Sequence, residues 1–346
     1  ALQALPALFV CAIVVVSKFV EWDVLWMPAR EPMLDLSQGT PRPPPKTLVP
    51  VSDLPLKVSG RHVISAASGH RVRLFCVNWY GAHLEQHVPN GLNHQPLASI
   101  AGRIVELGFN CVRLPFSLEL VFSNLTQVPQ AETALAANPA LQQLAPLRLF
   151  DATVAALTKV GLLVILNNHV SSSRWCCVDE DEEALWYTRS YPESKWLEGL
   201  GLMAARYRDD ARVVGFDLRN EVRNSKDIHP DWGSGDPASD WSMAAVKGGI
   251  QVLAENKAML IIIAGLNYCK FLCDVPLRPL HVSVPELQGH VVYTAHEYTW
   301  FNLHWDIRCK IERLLPTLAF ACISACGMLA CISVLSRRRL HFLEER

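Results

Sequence analysis

The sequence predicts an α/β fold of the (β/α)8 TIM-barrel type, in which barrel strands 1–6 are recognisable. Short apolar runs rich in β-branched residues recur along the middle of the chain, and most are separated by segments of helical character. The runs are continuous rather than alternating, as expected for a parallel sheet that is covered on both faces. A doubly wound dinucleotide-binding sheet is less favoured because the chain has no G-x-G-x-x-G motif.

The predicted elements alternate along the chain and place a partial barrel at 56–312. Strands are expected at 72–80, 109–116, 162–169, 213–221, 259–267 and 290–298. Helices are expected at 97–107, 148–160, 194–207 and 241–256, whereas the proline-containing interval 268–289 shows little helical pattern. Repeated β-then-α units of this kind are typical of a barrel.

Both ends of the chain differ from this middle part. Residues 1–20 contain a ten-residue apolar run and are interpreted as a signal peptide or a signal anchor. Eight of the 22 prolines lie in 28–55, which predicts an extended linker. Residues 314–335 hold no charge and predict a transmembrane helix, with a buried core helix as the alternative, and 336–346 form a basic cytoplasmic tail. The barrel is then expected on the extracellular or lumenal side of a membrane.

Composition limits the possible partners. The 346 residues include 32 Lys and Arg against 33 Asp and Glu, a net charge of −1 at pH 7. This balance excludes a globally basic nucleic-acid binder, and no nucleotide-binding motif is present. No cysteine spacing matches a zinc site, so we expect no metal and no cofactor. The acidic run at 179–183 is interpreted as a solvated loop rather than as a calcium site.

Cysteines and one sequon bear on the cellular compartment. Cys76 and Cys111 fall inside predicted strands and are expected to be buried. Cys176 and Cys177 fall in a loop, where a bridge to another cysteine, a vicinal bridge and a free pair all remain open. Asn124 begins an Asn-Leu-Thr glycosylation sequon, which is compatible with a secreted domain.

Nearly every predicted strand ends in a reactive or hydrogen-bonding side chain. In chain order these are Asn78, Trp79, Arg113, His169, Asn220, Glu221, Asn267, His296 and Tyr298. The carboxyl ends of barrel strands meet at one mouth, so these side chains are expected to converge. One polar strand end is ordinary, but six in succession predict an active site.

Glycoside cleavage is the chemistry that suits these residues. It requires one carboxylic acid that protonates the leaving oxygen and a second carboxylate on the opposite side of the sugar. Glu221 follows an amide side chain and is the candidate acid/base. Trp79, Trp175 and Trp300 are candidates for stacking on sugar rings, with plain packing as the alternative for each.

Three motifs resemble the family 5 glycoside hydrolases, the cellulase-like clan of retaining β-glycosidases. They are LNNHVSSSRWCC at 166–177, YPESKW at 191–196 and DLRNEVR at 217–223, and they are most similar to a eukaryotic branch with a Trp-Cys-Cys loop. The resemblance covers 70–305. It implies hydrolysis of O-glycosyl bonds in a β-glucan, a cellulose-like polysaccharide or a related glycoside.

The resemblance also implies roles for individual residues. Arg113 would steady the nucleophile, and His169 would bind substrate. Asn220 would contact the sugar 2-hydroxyl beside the acid/base glutamate, while His296 and Tyr298 would order the site.

The chain departs from the family pattern after Tyr298. The family carries its nucleophilic glutamate at the end of the seventh strand, but no predicted strand ending in Glu follows here, and Glu312, Glu344 and Glu345 lie in unsuitable segments. The last quarter of the barrel is therefore expected to be missing or replaced, with impaired hydrolysis. A truncated or mis-spliced form of a longer enzyme is favoured over a non-catalytic carbohydrate-binding pseudoenzyme tethered to the membrane by 314–335.

Overall fold

The computed structural model describes residues 48–177, 181–297, 320–324 and 332–333. The predicted signal segment and basic tail lie outside these residues, as do Tyr298 and Trp300. Of the predicted proline-rich linker, the structure describes residues 48–55. They contain a short 3-10 turn at Val51–Asp53. An antiparallel hairpin then follows, formed by β1 (Leu56–Ser59) and β2 (His62–Ser65).

The main sheet contains eight strands among the described residues. They are β3 (Cys76–Asn78), β4 (Cys111–Ser117), β5 (Leu163–Val170), β6 (Val213–Asp217), β7 (Leu260–Ala264), β8 (Val291–Glu297), β9 (Phe320–Ser324) and β10 (Ile332–Ser333). Strands β3 to β9 pair in parallel in chain order, and β10 lies antiparallel to β9. The six strands predicted from the sequence are confirmed as β3 to β8.

Helices connect most of these strands. They are α1 (Leu97–Glu106), α2 (Leu118–Phe122), α3 (Ala131–Ala134), α4 (Pro146–Lys159), α5 (Glu193–Arg206), α6 (Trp241–Glu255), α7 (Leu266–Cys269) and α8 (Leu280–Ser283), with further 3-10 turns at Pro139–Leu141 and Pro285–Leu287. The four predicted helices correspond to α1, α4, α5 and α6. Local signals fix their starts: Pro146 opens α4, and the Asp240 carboxylate accepts the Met243 N–H at 3.1 Å to cap α6.

The predicted transmembrane segment has a different conformation where the structure describes it. Inside 314–335 the described residues form strands β9 and β10, and the rest of that range lies outside the description. Among the described helices, none has the length and apolar character to cross a membrane. A continuous apolar run suits a buried strand as well as a helix, so sequence periodicity could not separate the two conformations.

Two apolar clusters lie on opposite faces of the sheet, and strand alternation assigns each residue to one of them. In β5, Val164 and Leu166 belong to the larger cluster, whereas Leu163 and Ile165 belong to the smaller one. Successive side chains of a strand point to opposite faces of the sheet, so every second residue after Leu163 lies on the face of the smaller cluster. Asn167 and His169 continue that face toward the carboxyl end of β5.

A disulfide links the first two strands of the main sheet. Cys76 and Cys111 face each other in register across β3 and β4 and are bridged. Both side chains are buried, as the sequence predicts. The bridge itself was not predicted, because strand register is not visible in the sequence.

Candidate active site

Arg113 connects three other polar residues of the sheet. Its Nε and Nη2 donate to Asp217 Oδ2 at 2.8 and 2.7 Å, and Nη2 also donates to Asn220 Oδ1 at 2.9 Å. Its Nη1 donates to Asn78 Oδ1 at 3.3 Å. Burial opposes the charge, but the Asp217 carboxylate outweighs it and raises the pKa of Arg113. A permanently cationic group therefore fixes the carboxamide of Asn220.

Glu221 and His296 form a close pair near the carboxyl ends of β6 and β8. His296 Nδ1 lies 2.7 Å from Glu221 Oε1, and both side chains are buried. Burial alone would lower the pKa of His296, but Cys269 and the hydrogen bond to Glu221 raise it to about 10. The pair therefore keeps one proton near neutral pH, held between His296 Nδ1 and Glu221 Oε1.

The backbone at Glu221 adopts a conformation that side-chain-bearing residues rarely take. Its φ is 45°, in the left-handed region, and the Arg223 Nη1 donates to its carbonyl oxygen at 3.2 Å. Such a conformation costs about 1–3 kcal/mol and persists where the surroundings enforce it, commonly at functional sites. The turn after β6 thus presents Glu221 toward the end of β8.

Four rings form what we call the aromatic wall, namely Tyr80, His83, His169 and Trp175. The Tyr80 centroid lies 5.4 Å from each histidine ring and 6.4 Å from Trp175, and the two histidine rings are 4.4 Å apart. Trp175 is 69% exposed, whereas both histidines are buried. The wall therefore runs from the protein interior to solvent at the carboxyl ends of the strands.

Both histidines of the wall are neutral near neutral pH. Burial, followed by the charge of Arg113, lowers the pKa of His83 to about 3. Burial, followed by His83 and Arg113, holds the pKa of His169 well below its usual value. The His169 Nδ1 lies 2.7 Å from Asn167 Oδ1 and donates to it. Its Nε2 is then the lone-pair nitrogen of the ring.

Cys176 and Cys177 are bridged to each other, which selects the vicinal option among those open from the sequence. Their sulfur atoms lie 3.8 and 3.6 Å from the Asn220 Nδ2. Together with a ring nitrogen of His169 they form a group of possible metal ligands, all within 4.8 Å of one another. The Trp-Cys-Cys loop thus contacts the residue that precedes Glu221.

Two acidic residues of this loop are buried, so the interpretation of 179–183 as a solvated loop is wrong for them. Glu183 accepts the N–H groups of Ser171 and Ser172 at 2.6 and 2.8 Å and pairs with Arg219 at 2.7 Å. Asp181 accepts the N–H of Cys177 at 2.8 Å and pairs with Arg223. Sequence analysis missed these four ionic residues, which we call the loop clamp (Asp181, Glu183, Arg219 and Arg223).

Trp196 contacts the backbone of the turn that follows β6. Its side chain, from the YPESKW motif, is fully buried in α5, and its indole N–H donates to the Leu218 carbonyl at 3.2 Å. Leu218 lies two residues before Asn220 in the chain. This residue of the motif therefore supports the site through the backbone of the turn.

The remaining predicted site residues are placed less centrally. Trp79 is 7% exposed and donates its indole N–H to the Asn90 carbonyl at 2.9 Å, which matches the packing alternative. Asn124, the sequon residue, is exposed. Asn267 lies in α7 with φ 52°, in a left-handed turn that continues through Tyr268. That turn brings Lys270 close enough to interact with Glu221, a neighbour that sequence analysis missed.

Comparisons with known proteins identify the family of this chain. Residues 67–317 match the model of the cellulase family, glycosyl hydrolase family 5. A glycosyl hydrolase 5 family protein of Chamaecyparis obtusa is 36% identical over 269 residues, which are 74% of this chain and 46% of that protein. The chain therefore spans less than half the length of that curated relative.

Solved structures with the same fold include an endoglucanase and an endocellulase. The catalytic domain of the major endoglucanase from Xanthomonas campestris pv. campestris has a TM-score of 0.65 at 26% identity, covering 77% of this chain and 80% of that one. An endocellulase from Pyrococcus horikoshii, in complex with cellotetraose, has a TM-score of 0.62 at 26% identity, covering 75% and 74% of the two chains.

The curled parallel sheet is consistent with the TIM-barrel fold of this family. The family match extends over more than half of the chain, which therefore belongs to the cellulase family, glycosyl hydrolase family 5. The resemblance stated from the sequence is confirmed, and the Trp-Cys-Cys motif coincides with the Cys176–Cys177 loop.

Proposed function

We propose that the chain carries the acid/base half of a retaining β-glycosidase site, with Glu221 as the proton donor to the leaving oxygen. The observation that carries this proposal is the buried Glu221–His296 pair, 2.7 Å apart at the carboxyl ends of β6 and β8. Asn220, held by Arg113, lies beside it to bind a sugar hydroxyl. Paired carboxyl groups are the usual basis of glycoside cleavage, and Glu221 supplies one of them.

The substrate class we propose is a cellulose-like β-glucan. Family membership supports this class, and so does the Pyrococcus horikoshii endocellulase, whose structure holds cellotetraose. Trp175, at the exposed end of the aromatic wall, provides a ring face of the kind on which pyranose rings stack. His169, beside it, provides a neutral nitrogen for a sugar hydroxyl.

Hydrolysis by this chain is proposed to be slow. A retaining mechanism needs a nucleophilic carboxylate in addition to the acid/base, and the sequence from 313 to 343 contains no Glu. Without the covalent step, the residual rate depends on substrate binding and on the acid/base group alone. This sequence feature favours a second candidate function, a carbohydrate-binding protein without catalysis.

The compartment we propose is the extracellular or lumenal side of a membrane, as expected from the sequence. Two disulfides, Cys76–Cys111 and Cys176–Cys177, support folding under oxidising conditions. A membrane helix over 314–335 is not part of this proposal, because residues 320–324 and 332–333 form strands β9 and β10.

Calorimetric binding of cellotetraose to the full chain, combined with a hydrolysis assay, tests the proposal. Glu221→Gln is expected to keep binding and to lower hydrolysis at least about 100-fold, as loss of general acid catalysis does. Trp175→Ala is expected to weaken binding about tenfold without changing stability, since its ring is largely exposed. Leu107→Ala, at the opposite end of the sheet and 59% exposed, is the matched control and should bind normally.

The outcomes separate the alternatives. Undiminished hydrolysis by Glu221→Gln overturns the acid/base assignment. Cellotetraose binding without hydrolysis by the unchanged chain favours the second candidate function. A folded chain that does not bind cellotetraose overturns the proposed substrate class.

A further inference from the structure

Cys176 and Cys177 lie close to His169, and the three residues could together bind a metal ion if the disulfide between the cysteines were reduced. The sulfurs of Cys176 and Cys177 and a ring nitrogen of His169 are mutually within 4.8 Å, and the cysteines are half-buried while His169 is buried. Two thiolates and one imidazole are the ligands that zinc and other thiophilic cations prefer. Sequence spacing does not reveal this set, because the histidine belongs to β5 and the cysteines to the loop after it.

His169 has one ring nitrogen outside its hydrogen bond to Asn167. Its Nδ1 donates to Asn167 Oδ1 at 2.7 Å, which leaves the lone pair on Nε2. Metal-binding histidines usually donate their other ring N–H to a carbonyl or carboxylate, because that contact orients the ring and makes the ligand nitrogen more basic. The side-chain amide of Asn167 accepts a hydrogen bond of this kind from His169 in the absence of a metal.

The loop that carries the sulfurs is fixed independently of the disulfide. The Cys177 N–H donates to Asp181 Oδ2 at 2.8 Å, and Asp181 pairs with the buried Arg223. Glu183 accepts the N–H groups of Ser171 and Ser172 at the start of the same loop. These contacts hold the backbone at Cys177 and at the start of the loop without the disulfide.

We propose that reduction of the Cys176–Cys177 disulfide creates a three-ligand site for a thiophilic divalent cation, with His169, Cys176 and Cys177 as the ligands. A small-molecule dithiol supplies the two electrons and two protons: the S–S bond breaks, two cysteine thiols form, and the dithiol becomes its own disulfide. The cation then displaces both thiol protons to water. Two thiolates, one divalent cation and a neutral imidazole give a site of zero net charge.

The site would share its position with the proposed sugar site. The Asn220 Nδ2 lies 3.6 Å from Cys177 Sγ, and His169 is part of the aromatic wall. A bound cation therefore removes His169 from sugar binding and places a coordination sphere against Asn220. Inhibition by the cation rests on the proposed function, whereas cation binding by the reduced loop does not.

Cadmium titration of the full chain tests the site, because cadmium thiolates absorb in the ultraviolet. The protein is reduced with the dithiol, desalted without oxygen and titrated with Cd²⁺, and Zn²⁺ is then used to displace it. Reduced wild-type protein is expected to bind one more equivalent than the Cys176→Ser/Cys177→Ser variant, with a stronger thiolate band. His169→Gln is expected to weaken that equivalent at least about tenfold. The matched control, Cys273→Ser, should keep it.

A second measurement needs no substitution. Alkylation of the reduced chain with iodoacetamide, mapped by mass spectrometry, should be slowed at least about tenfold at Cys176 and Cys177 when Cd²⁺ is present. Equal Cd²⁺ binding by wild-type and Cys176→Ser/Cys177→Ser proteins, or unprotected alkylation at both cysteines, overturns the proposal. Cadmium binding with failed inhibition of cellotetraose binding would leave the metal site standing and count against the proposed sugar site.

Discussion

Glu183 and Arg219 form an ion pair inside the protein, with 2.7 Å between Oε2 and Nη2 and side-chain exposures of 2% and 0%. The same carboxylate accepts two backbone N–H groups at the start of the Trp-Cys-Cys loop. One charge thus joins the strand end that carries Asn220 and Glu221 to the loop that covers it. Four consequences of this and related contacts can be measured.

Glu183→Gln is expected to lower the free energy of unfolding by about 3–5 kcal/mol, because it leaves the Arg219 guanidinium buried without its counter-charge. Urea unfolding measures this change. Hydrogen exchange at Ser171 and Ser172 should also accelerate, since both amides lose a charged acceptor. Glu182→Gln makes the same change of charge at an exposed neighbour and should alter stability by less than about 0.5 kcal/mol. Equal effects of the two variants would contradict the loop clamp.

Arg113→Met is expected to destabilise the protein by about 3–5 kcal/mol, because Asp217 then remains buried and unpaired. Arg113→Met/Asp217→Leu removes both charges and should recover part of that loss, as measured by urea unfolding. The control is Arg103→Met, whose pair with Glu106 is 42% and 65% exposed and should contribute less than about 1 kcal/mol. A double variant no more stable than Arg113→Met would argue that the pair acts through packing alone.

His83 is expected to make the protein less stable in acid. Its pKa is about 3 in the folded state against 6.5 for an ordinary histidine, so between these values the unfolded chain binds a proton that the folded chain does not. Stability therefore falls as pH decreases through this interval, by up to about 1.4 kcal/mol per pH unit.

His83→Gln removes this contribution and should flatten the dependence of unfolding free energy on pH between 6.5 and about 3. Chemical denaturation at a series of pH values across the interval measures it. The exposed His94, changed to Gln, is the control and should leave the slope as in the wild type. An unchanged slope in His83→Gln would show that other groups govern acid stability.

Gly248→Ala is expected to lower stability by about 1–3 kcal/mol through overpacking. A Cβ at this position in α6 would lie 2.7 Å from Cη2 of Trp196, the ring that supports the turn after β6. Gly102→Ala, in α1, meets nothing within 4 Å and should instead stabilise by about 0.5–1 kcal/mol, the difference in helix propensity. Thermal unfolding measures both variants. A lower melting temperature for Gly248→Ala with a higher one for Gly102→Ala would confirm the contact, and melting temperatures that change in the same direction would contradict it.

Much of the fold was predictable because strands β4 to β7 are buried on both faces and are therefore continuous in their apolar character. The same reasoning located Arg113, His169, Asn220, Glu221 and His296, since each lies in or directly after such a strand. It failed for Asp181 and Glu183, because a run of five acidic residues resembles a solvated surface. A signal was nevertheless present: Arg219 and Arg223 flank the Asn220–Glu221 motif next to a buried strand, and buried arginines require counter-ions.

Sequence analysis also could not place residues whose role depends on register or on a turn. His83 lies in a loop without periodicity, so nothing in its neighbourhood predicts a contact with His169. The left-handed turn at Asn267 and Tyr268 contains no glycine, the residue that usually announces such a backbone. The tertiary contacts of these segments override their local preferences.

The Cys76–Cys111 disulfide attaches the first strand of the main sheet covalently to its neighbour. β3 has three residues and, among the described strands, pairs with β4 alone, so hydrogen bonding would hold it weakly against fraying. With the bridge closed, β3 cannot detach from β4 by thermal motion, and Asn78 stays aligned with the Arg113 guanidinium. The alignment of that side of the mouth is therefore governed by the redox potential of the surroundings as much as by temperature.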